Sequence, residues 1–430
     1  MEIIKRLDVK GLYGFYDYSI DCATGEHVKI LTGPNGYGKT TLLQMIHHLL
    51  GADFWYFYTI PFLSFELELA NGRRFILKKL KEAEDSEVAQ ASMSNPLQVT
   101  YFEGEKQIEQ YQIVHNYIDY LKIKVNWNQL QNQLFVSGMS WEDFLKQYYH
   151  ANEDQYLQQK GPNTLMALQV GHASLSIARL TQGHVDTLMP NGMPFKRYVA
   201  STVEVNNHLR NEDFRKALAM YNEVSQRLDA SYIKRLTEIK PERPQDVETQ
   251  QKRLNDLRVR MEQMSKYGLT KTEEMIDTIP QQYSGTIELY IQDTQQKLDV
   301  LEPFYRKLRK FDDLINSRAL AHKKMLLSPK GLVLKDENNV EVPLTGLSSG
   351  EQHLLILFYH LIFQTQPNSV IFIDEPEMSM HPAWLEGMLR DFKEIAQMNK
   401  FQIIFATHSV AFIDGQWNLS DDLFELHRKG

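Results

Sequence analysis

The run Gly33-Pro34-Asn35-Gly36-Tyr37-Gly38-Lys39-Thr40 has the spacing G-x-x-x-x-G-K-[ST], in which glycines let successive backbone N–H groups converge on an anion. Lys39 would reach β- and γ-phosphates, the Thr40 hydroxyl would ligate Mg²⁺, and the following helix N-terminus adds positive potential. Asn35, Gly36, Gly38, Lys39, Thr40 and Thr41 are therefore candidate nucleotide-binding residues, and Thr40 a candidate metal ligand. A second piece, Val370-Ile371-Phe372-Ile373-Asp374-Glu375, is an apolar strand ending in two carboxylates. Asp374 can hold Mg²⁺ through water, and Glu375 can polarise a water toward the γ-phosphate. Leu347-Ser348-Ser349-Gly350-Glu351-Gln352 opens a helix with a serine-glycine turn, a second anion cradle of hydroxyl and backbone N–H groups. Finally, Thr407-His408-Ser409 follows the apolar run FQIIF (401–405), placing an imidazole at a strand end within reach of the same phosphate.

These residues need elements to hold them. Residues 3–30 alternate as strands, Val28–Leu31 reads as a short buried strand, and TTLLQMIHHLL after the glycine-rich loop has helical spacing. Residues 62–80 predict a hairpin around Asn71-Gly72, a pair suited to a type I′ turn. Between about 83 and 165 the sequence is mixed and polar and reads as a loop with several helices. From 204 to 325 the composition turns helical. Val247, Leu254, Leu257, Met261 and Met264 fall on a and d positions of one heptad pattern, Ile291, Leu298, Leu301, Tyr305 and Leu308 on another. The pair predicts an antiparallel hairpin, either a short projecting coiled coil or a helical subdomain facing its own core. The expected organisation is a split head, 1–203 and 326–430, around a helical insertion at 204–325.

Composition limits what else the chain can be. The 430 residues carry 47 Lys and Arg against 55 Asp and Glu, a net charge of -8, so nucleic acid could be held only by a local patch. Such patches exist at RRFILKKLK (73–81) and YRKLRK (305–310). A single cysteine, Cys22, forms no internal disulfide or multi-cysteine zinc site and suits a reducing cytosol. The N-terminus lacks a signal-peptide core, and apolar runs such as 353–363 are shorter than the roughly 20 residues that cross a bilayer. A cytoplasmic protein without a membrane role is expected. The aromatic run Phe54 to Tyr58 reads as core or subunit interface, and the histidines at 47, 48, 353 and 360 as structural.

Taken in order, GPNGYGKTT, LSSGEQ, IFIDEPEMSMHP and ATHS make the sequence resemble ATP-binding-cassette ATPases of the structural-maintenance-of-chromosomes (SMC) and RecF type. It is similar also to bacterial defence ATPases of the overcoming-lysogenization-defect kind, including the ATPase subunits of PARIS and Septu systems. The resemblance spans roughly residues 1–80 and 326–417. It implies an α/β fold, an ABC-type P-loop head with a β-rich N-terminal lobe, using ATP and Mg²⁺. It further implies that Glu375 is the catalytic base and His408 the switch histidine. Ser348, Gly350 and Glu351 would lie in the signature that meets ATP on a partner subunit, and Ser379 to His381 would occupy the D-loop. At the Q-loop the family has glutamine before Arg179-Leu180, whereas this chain has Ala178, with Gln182 nearby.

Because a signature acts on the other subunit's nucleotide, the resemblance implies a homodimer of heads or a higher even-numbered homo-oligomer. No CxxC is present for a zinc hook, and the chain is expected to lack a nuclease of its own. The expected role is thus a sensor or regulator of a separately encoded TOPRIM- or HNH-type effector nuclease in anti-phage defence, answering a phage trigger protein. A DNA-binding RecF- or Rad50-like repair ATPase is the alternative, and an ATP-cemented scaffold a third.

Overall fold

Residues 3–21 form two strands because apolar and polar side chains alternate: β1 (Ile4–Leu12) buries Ile4, Leu7, Val9 and Leu12, and β2 (Tyr16–Asp21) buries Tyr18 and Ile20. In β3 (Val28–Thr32) all five residues are buried, as in a central parallel strand. It leads through the glycine-rich loop into α1 (Lys39–Leu50), followed by α2 (Trp55–Thr59), β4 (Ser64–Leu69) and β5 (Arg73–Lys79). The computed structural model describes residues 3–50, 55–80, 97–113, 172–176, 205–238, 247–271, 276–320, 322–377 and 382–429. They belong to two units, Met1–Gly192 with Gln366–Gly430, and Met193–Thr365.

Two local expectations change. The β4–β5 turn is not type I′, since only Gly72 of the pair has positive φ (83°). Asn71 Oδ1 accepts the Arg73 N–H (3.1 Å) and Gly72 N–H donates to Leu69 O (3.0 Å), giving a three-residue loop whose last position is left-handed. Within the region expected to be helical, β6 (Leu97–Glu103) and β7 (Lys106–Ile113) form a further hairpin. Leu97, Val99 and Tyr101 are buried, and the Tyr101 ring stacks on Phe75 at 5.1 Å, the period-2 burial of a strand with one covered face. The resulting sheet has the order β2-β1-β4-β5-β6-β7, antiparallel throughout. After it comes β8 (His172–Ser176).

The second unit contains α3 (Phe214–Thr237), α4 (Val247–Ser265) and α5 (Ser284–Leu314). The heptad residues pack inward as their spacing predicts: Leu254, Leu257, Met261, Met264, Ile291, Leu298, Leu301, Tyr305 and Leu308 are all buried. The expected antiparallel pairing of α4 with α5 is overturned. Arg253 reaches Glu288 (2.8 Å), Arg260 reaches Asp299 (3.0 Å) and Glu302 (2.9 Å), and Tyr267 donates to Asp312 (2.9 Å). Positions climb together on both helices, so they run parallel. The reason is the connection: Arg258 meets Ile276 O (3.0 Å) and Ile279 N–H donates to Gln251 Oε1 (3.1 Å), so the chain retraces α4 before α5 begins. At roughly 3.3 Å per extended residue against 1.5 Å in a helix, a short segment covers that length. The antiparallel partner of α5 is instead α3, through Asp229 to Lys297 (2.9 Å), Arg235 to Asp293 and the Phe214–Phe304 ring pair (5.1 Å).

A small antiparallel sheet of β9 (Lys323–Ser328), β10 (Gly331–Asp336) and β11 (Glu341–Val342) follows, then α6 (Ser349–Tyr359). The chain next returns to the first unit with β12 (Val370–Asp374), α7 (Pro382–Leu385), α8 (Met388–Asn399), β13 (Gln402–Ala406), α9 (Val410–Ile413), β14 (Ser420–Asp422) and α10 (Leu423–Lys429). These strands complete a five-stranded parallel sheet of order β14-β3-β13-β12-β8. Buried Gln402 ties it to the antiparallel sheet: its Oε1 accepts Ile4 N–H (2.8 Å), and its Nε2 donates to Ile4 O and Cys22 O (both 3.1 Å).

Candidate functional site

The register of the parallel sheet pairs Leu31 with Ala406 and Ala406 with Asp374. The glycine-rich loop, Thr407-His408 and Glu375 therefore leave one carboxyl edge side by side, where ligands of open α/β sheets bind. Gly33, Gly36 and Gly38 have φ of 135°, 91° and 83°. At Gly38 a Cβ would also stand 3.0 Å from Leu12 Cδ2, a close contact added to a backbone conformation that already favours glycine. Asn35 and Gly36 are exposed at the loop tip. Buried Lys39 donates from Nζ to Gly33 O (2.8 Å) and Pro34 O (3.3 Å), so its cation rests over the loop's own carbonyls. The Thr40 hydroxyl donates to Asp374 Oδ2 at 2.8 Å across 334 positions of sequence. The Thr41 hydroxyl instead shares a hydrogen bond with the Tyr13 hydroxyl (2.7 Å).

Beside them Glu375 takes a left-handed backbone (φ 53°), an uncommon state for a side-chain-bearing residue and one that recurs at functional positions. Its N–H donates to Ala406 O (2.8 Å), and its Oε2 lies 2.8 Å from His408 Nδ1. Burial first, and then the neighbouring Glu377 carboxylate, hold the Glu375 carboxyl above the ordinary range, with His408 opposing. Glu377 escapes the sequence reading altogether. Its Oε1 accepts the Thr407 hydroxyl (2.6 Å) and the His408 N–H (3.3 Å), and stands 3.7 Å from His408 Nδ1. The available signal is the second acid in Asp374-Glu375-Pro376-Glu377. Ligand atoms of Glu375, Glu377 and His408 all lie within 4.8 Å of one another, a closeness that their polar contacts explain.

The serine-glycine turn belongs to the second unit. Exposed Ser348 caps α6: its Oγ accepts Glu351 N–H (3.3 Å) while Glu351 Oε2 accepts Ser348 N–H (2.7 Å). Gly350 is buried in the first turn, and Lys323 Nζ donates to both Glu351 oxygens (2.9 and 3.1 Å). Burial would raise the Glu351 carboxyl, but bonds from Lys323 and Ser348 together hold it below the ordinary range. Ser379 to His381, and Ala178, Arg179 and Gln182, lie outside the described residues. Of the aromatic run, Phe57 is fully buried, and Tyr56 stacks on His48 at 4.0 Å and donates to Gln44 (2.7 Å).

The positive φ of Gly33, Gly36 and Gly38, with Lys39 beside them, fits a loop that turns its backbone toward a polyphosphate. The Thr40 and Asp374 oxygens, already within hydrogen-bond distance, fit Mg²⁺, which takes hard oxygen ligands and completes its shell with water and phosphate. Among the described residues no helix is long and apolar enough to cross a membrane.

The Smc head domain with an extended coiled coil, bound to the C-terminal domain of ScpA, from Pyrococcus furiosus is 14% identical, with 96% of this chain and 91% of that one covered and a TM-score of 0.36. The SMC head domain from Thermotoga maritima is 11% identical, with 98% and 93% covered and a TM-score of 0.36. Likenesses this loose assign nothing to individual residues. No curated protein matches the sequence. The model of the family AAA_15, AAA ATPase domain, matches residues 1–413, a span that holds the loop, both acids and the histidine described above, and the chain belongs to that family.

Proposed function

We propose that the protein binds ATP with Mg²⁺ at the loop 33–41 and hydrolyses it with Glu375 as general base. The observation that carries this reading is the meeting of Thr40 with Asp374 at 2.8 Å, with Glu375 the next residue along. Lys39 would leave its carbonyl contacts for the β- and γ-phosphates, and Thr40 and Asp374 would hold the metal. Mg²⁺, when bound, neutralises charge on the β- and γ-oxygens. Glu375 takes the proton of the attacking water as its oxygen bonds to the γ-phosphorus and the bond to the ADP oxygen breaks. A carboxyl whose pKa burial raises is a stronger base for that proton than an ordinary carboxylate. His408 holds Glu375 in place, and Glu377 anchors the strand end that carries His408.

The test is phosphate release beside nucleotide binding. Glu375→Gln should keep ATP affinity within a few fold and lose about 10²–10⁴ in turnover; unchanged turnover would defeat the assignment.

The finer reading follows from the resemblance of the four motifs. Heads pair around ATP, with Ser348 and Gly350 completing the partner's site, and the assembly regulates a separately encoded effector nuclease in anti-phage defence. If the Glu375→Gln protein stays monomeric with ATP in sedimentation, pairing fails. If Lys39→Ala leaves phage protection intact in a strain carrying the locus, the defence role fails. The DNA-binding alternative draws little from the basic runs: Arg73 and Arg74 pair with Glu103 (3.8 Å) and Glu66 (3.3 Å), and Arg306 and Arg309 with Glu302 (2.9 Å) and Asp313 (3.8 Å).

A further inference from the structure

The residues past the family match at 413 include a segment built against the phosphate loop. β14 adds to β3 in parallel, pairing Ser420 with Ile30, Asp421 with Leu31 and Asp422 with Thr32, directly before the loop begins. Lys29, only 6% exposed in its side chain, pairs with Asp421 at 2.9 Å, and Thr32 Oγ1 donates to Asp421 O (3.3 Å). Asp422 Oδ1 accepts the N–H groups of Phe424 (2.8 Å) and Glu425 (3.3 Å), starting α10. Fully buried Leu423 sits so close to Gly33 that a Cβ there would lie 3.5 Å from it.

α10 then reaches the loop's one aromatic residue. Phe424 meets the Tyr37 ring edge to face at 5.5 Å, and Arg428 lies over the Phe424 ring at 4.4 Å. On its other side Tyr37 packs on Tyr16 (5.4 Å), which His427 meets at 5.0 Å and Tyr18 stacks on at 5.7 Å. The Tyr18 hydroxyl donates to Tyr37 O (2.8 Å). Tyr37 stands between Gly36 and Gly38, the two residues whose freedom makes the loop hard to order. Without neighbours a loop with glycines on both sides of one residue samples many conformations, and holding each residue in one of them costs entropy.

We propose that residues 420–429 are a clasp that pre-forms the phosphate loop, with Phe424 and Tyr37 as positioning residues for nucleotide binding. The inference rests on the ATP-binding reading above. Ring contacts to Tyr37 remove part of the loop's ordering cost before the ligand arrives, and a pre-organised loop binds more tightly. An aromatic pair contributes about 0.5–1.5 kcal/mol beyond its buried area, or about 2- to 12-fold in affinity.

The experiment is titration of the full chain with Mg-ATP, alongside thermal unfolding and steady-state turnover. Phe424→Leu keeps apolar bulk and removes the ring. It should weaken Kd and raise KM about 3- to 10-fold, with kcat changed less than twofold, and Phe424→Tyr should restore affinity. In a double-mutant cycle with Tyr37→Leu, the second substitution should add little to the first. If Phe424→Leu fails to fold, Arg428→Ala provides the same reading with a smaller shift. Unchanged Kd in a folded variant, or additive losses in the cycle, would overturn the clasp. Wild-type protein that does not bind Mg-ATP would instead overturn the nucleotide reading, and Lys39→Ala is the control that separates the two.

Discussion

The loop before α1 and the turn before α6 are both glycine-bearing helix starts, yet they spend their polar groups in opposite ways. At the first, Lys39 rests on two carbonyls of the loop itself, Gly36 has nothing within 4 Å of a would-be Cβ, and Glu375 alongside adopts a left-handed backbone. At the second, Ser348 and Glu351 satisfy each other's backbone N–H groups and Lys323 saturates the remaining carboxylate. One is held open by its surroundings and the other closes on itself. A helix start can thus be ordered by contacts from elsewhere in the fold or by its own capping bonds, and the side-chain hydrogen bonds distinguish the two.

The sharpest way to break the contrast is Lys39→Ala. Loss of a charge-assisted contact to phosphate, on the order of 3 kcal/mol, predicts roughly 100-fold weaker Mg-ATP binding with little change in Tm; calorimetric titration measures the first and thermal unfolding the second. Glu377→Ala acts at the same edge without touching nucleotide. Freeing Thr407 and His408 should lower kcat by about tenfold while Kd holds, and Glu377→Gln, which still accepts from Thr407, should recover most of it. Equal losses in both variants would mean that charge rather than hydrogen bonding is what matters.

At the closed turn the expected effect moves from binding to stability. Glu351→Ala removes the capping box and leaves Lys323 without its carboxylate partner, which predicts about 1–2 kcal/mol of lost stability in denaturant unfolding. Affinity for ATP at the loop of the same chain should stay unchanged. A separate effect, on stability against pH, concerns His353 in α6, whose pKa burial lowers to about 4. Between pH 6.5 and 4 the unfolded chain binds a proton there that the folded chain refuses, so stability is present at neutral pH and falls as pH drops through that window. In His353→Leu, unfolding curves from pH 7 to 4 should lose that part of the acid dependence.

Much of the site was legible because its pieces are local. The loop 33–40, the acids 374–375 and the histidine at 408 each announce themselves within a few residues, since phosphate binding needs a fixed backbone spacing and a strand end carries its acids in sequence. Glu377 was not legible: its worth lies in Thr407 and His408, thirty positions away, which β12–β13 pairing brings alongside. The heptads of α4 and α5 show which faces are buried, but not the direction of packing, because a buried stripe is the same read either way. Only the return path through Ile276 and Ile279 decides it.

By itself the sequence determined the P-loop, its flanking strand and helix, the acidic strand end, the buried stripes of α4 and α5 and, with one cysteine, the absence of an internal disulfide. Those follow from covalent order and short-range hydrogen bonding. The tertiary structure alone decided that Thr40 meets Asp374, that Glu377 steadies His408, and that Phe424 reaches Tyr37. Each joins positions brought together by the order β14-β3-β13-β12, and the order of strands in a sheet is set by packing of the whole unit, which no single segment encodes.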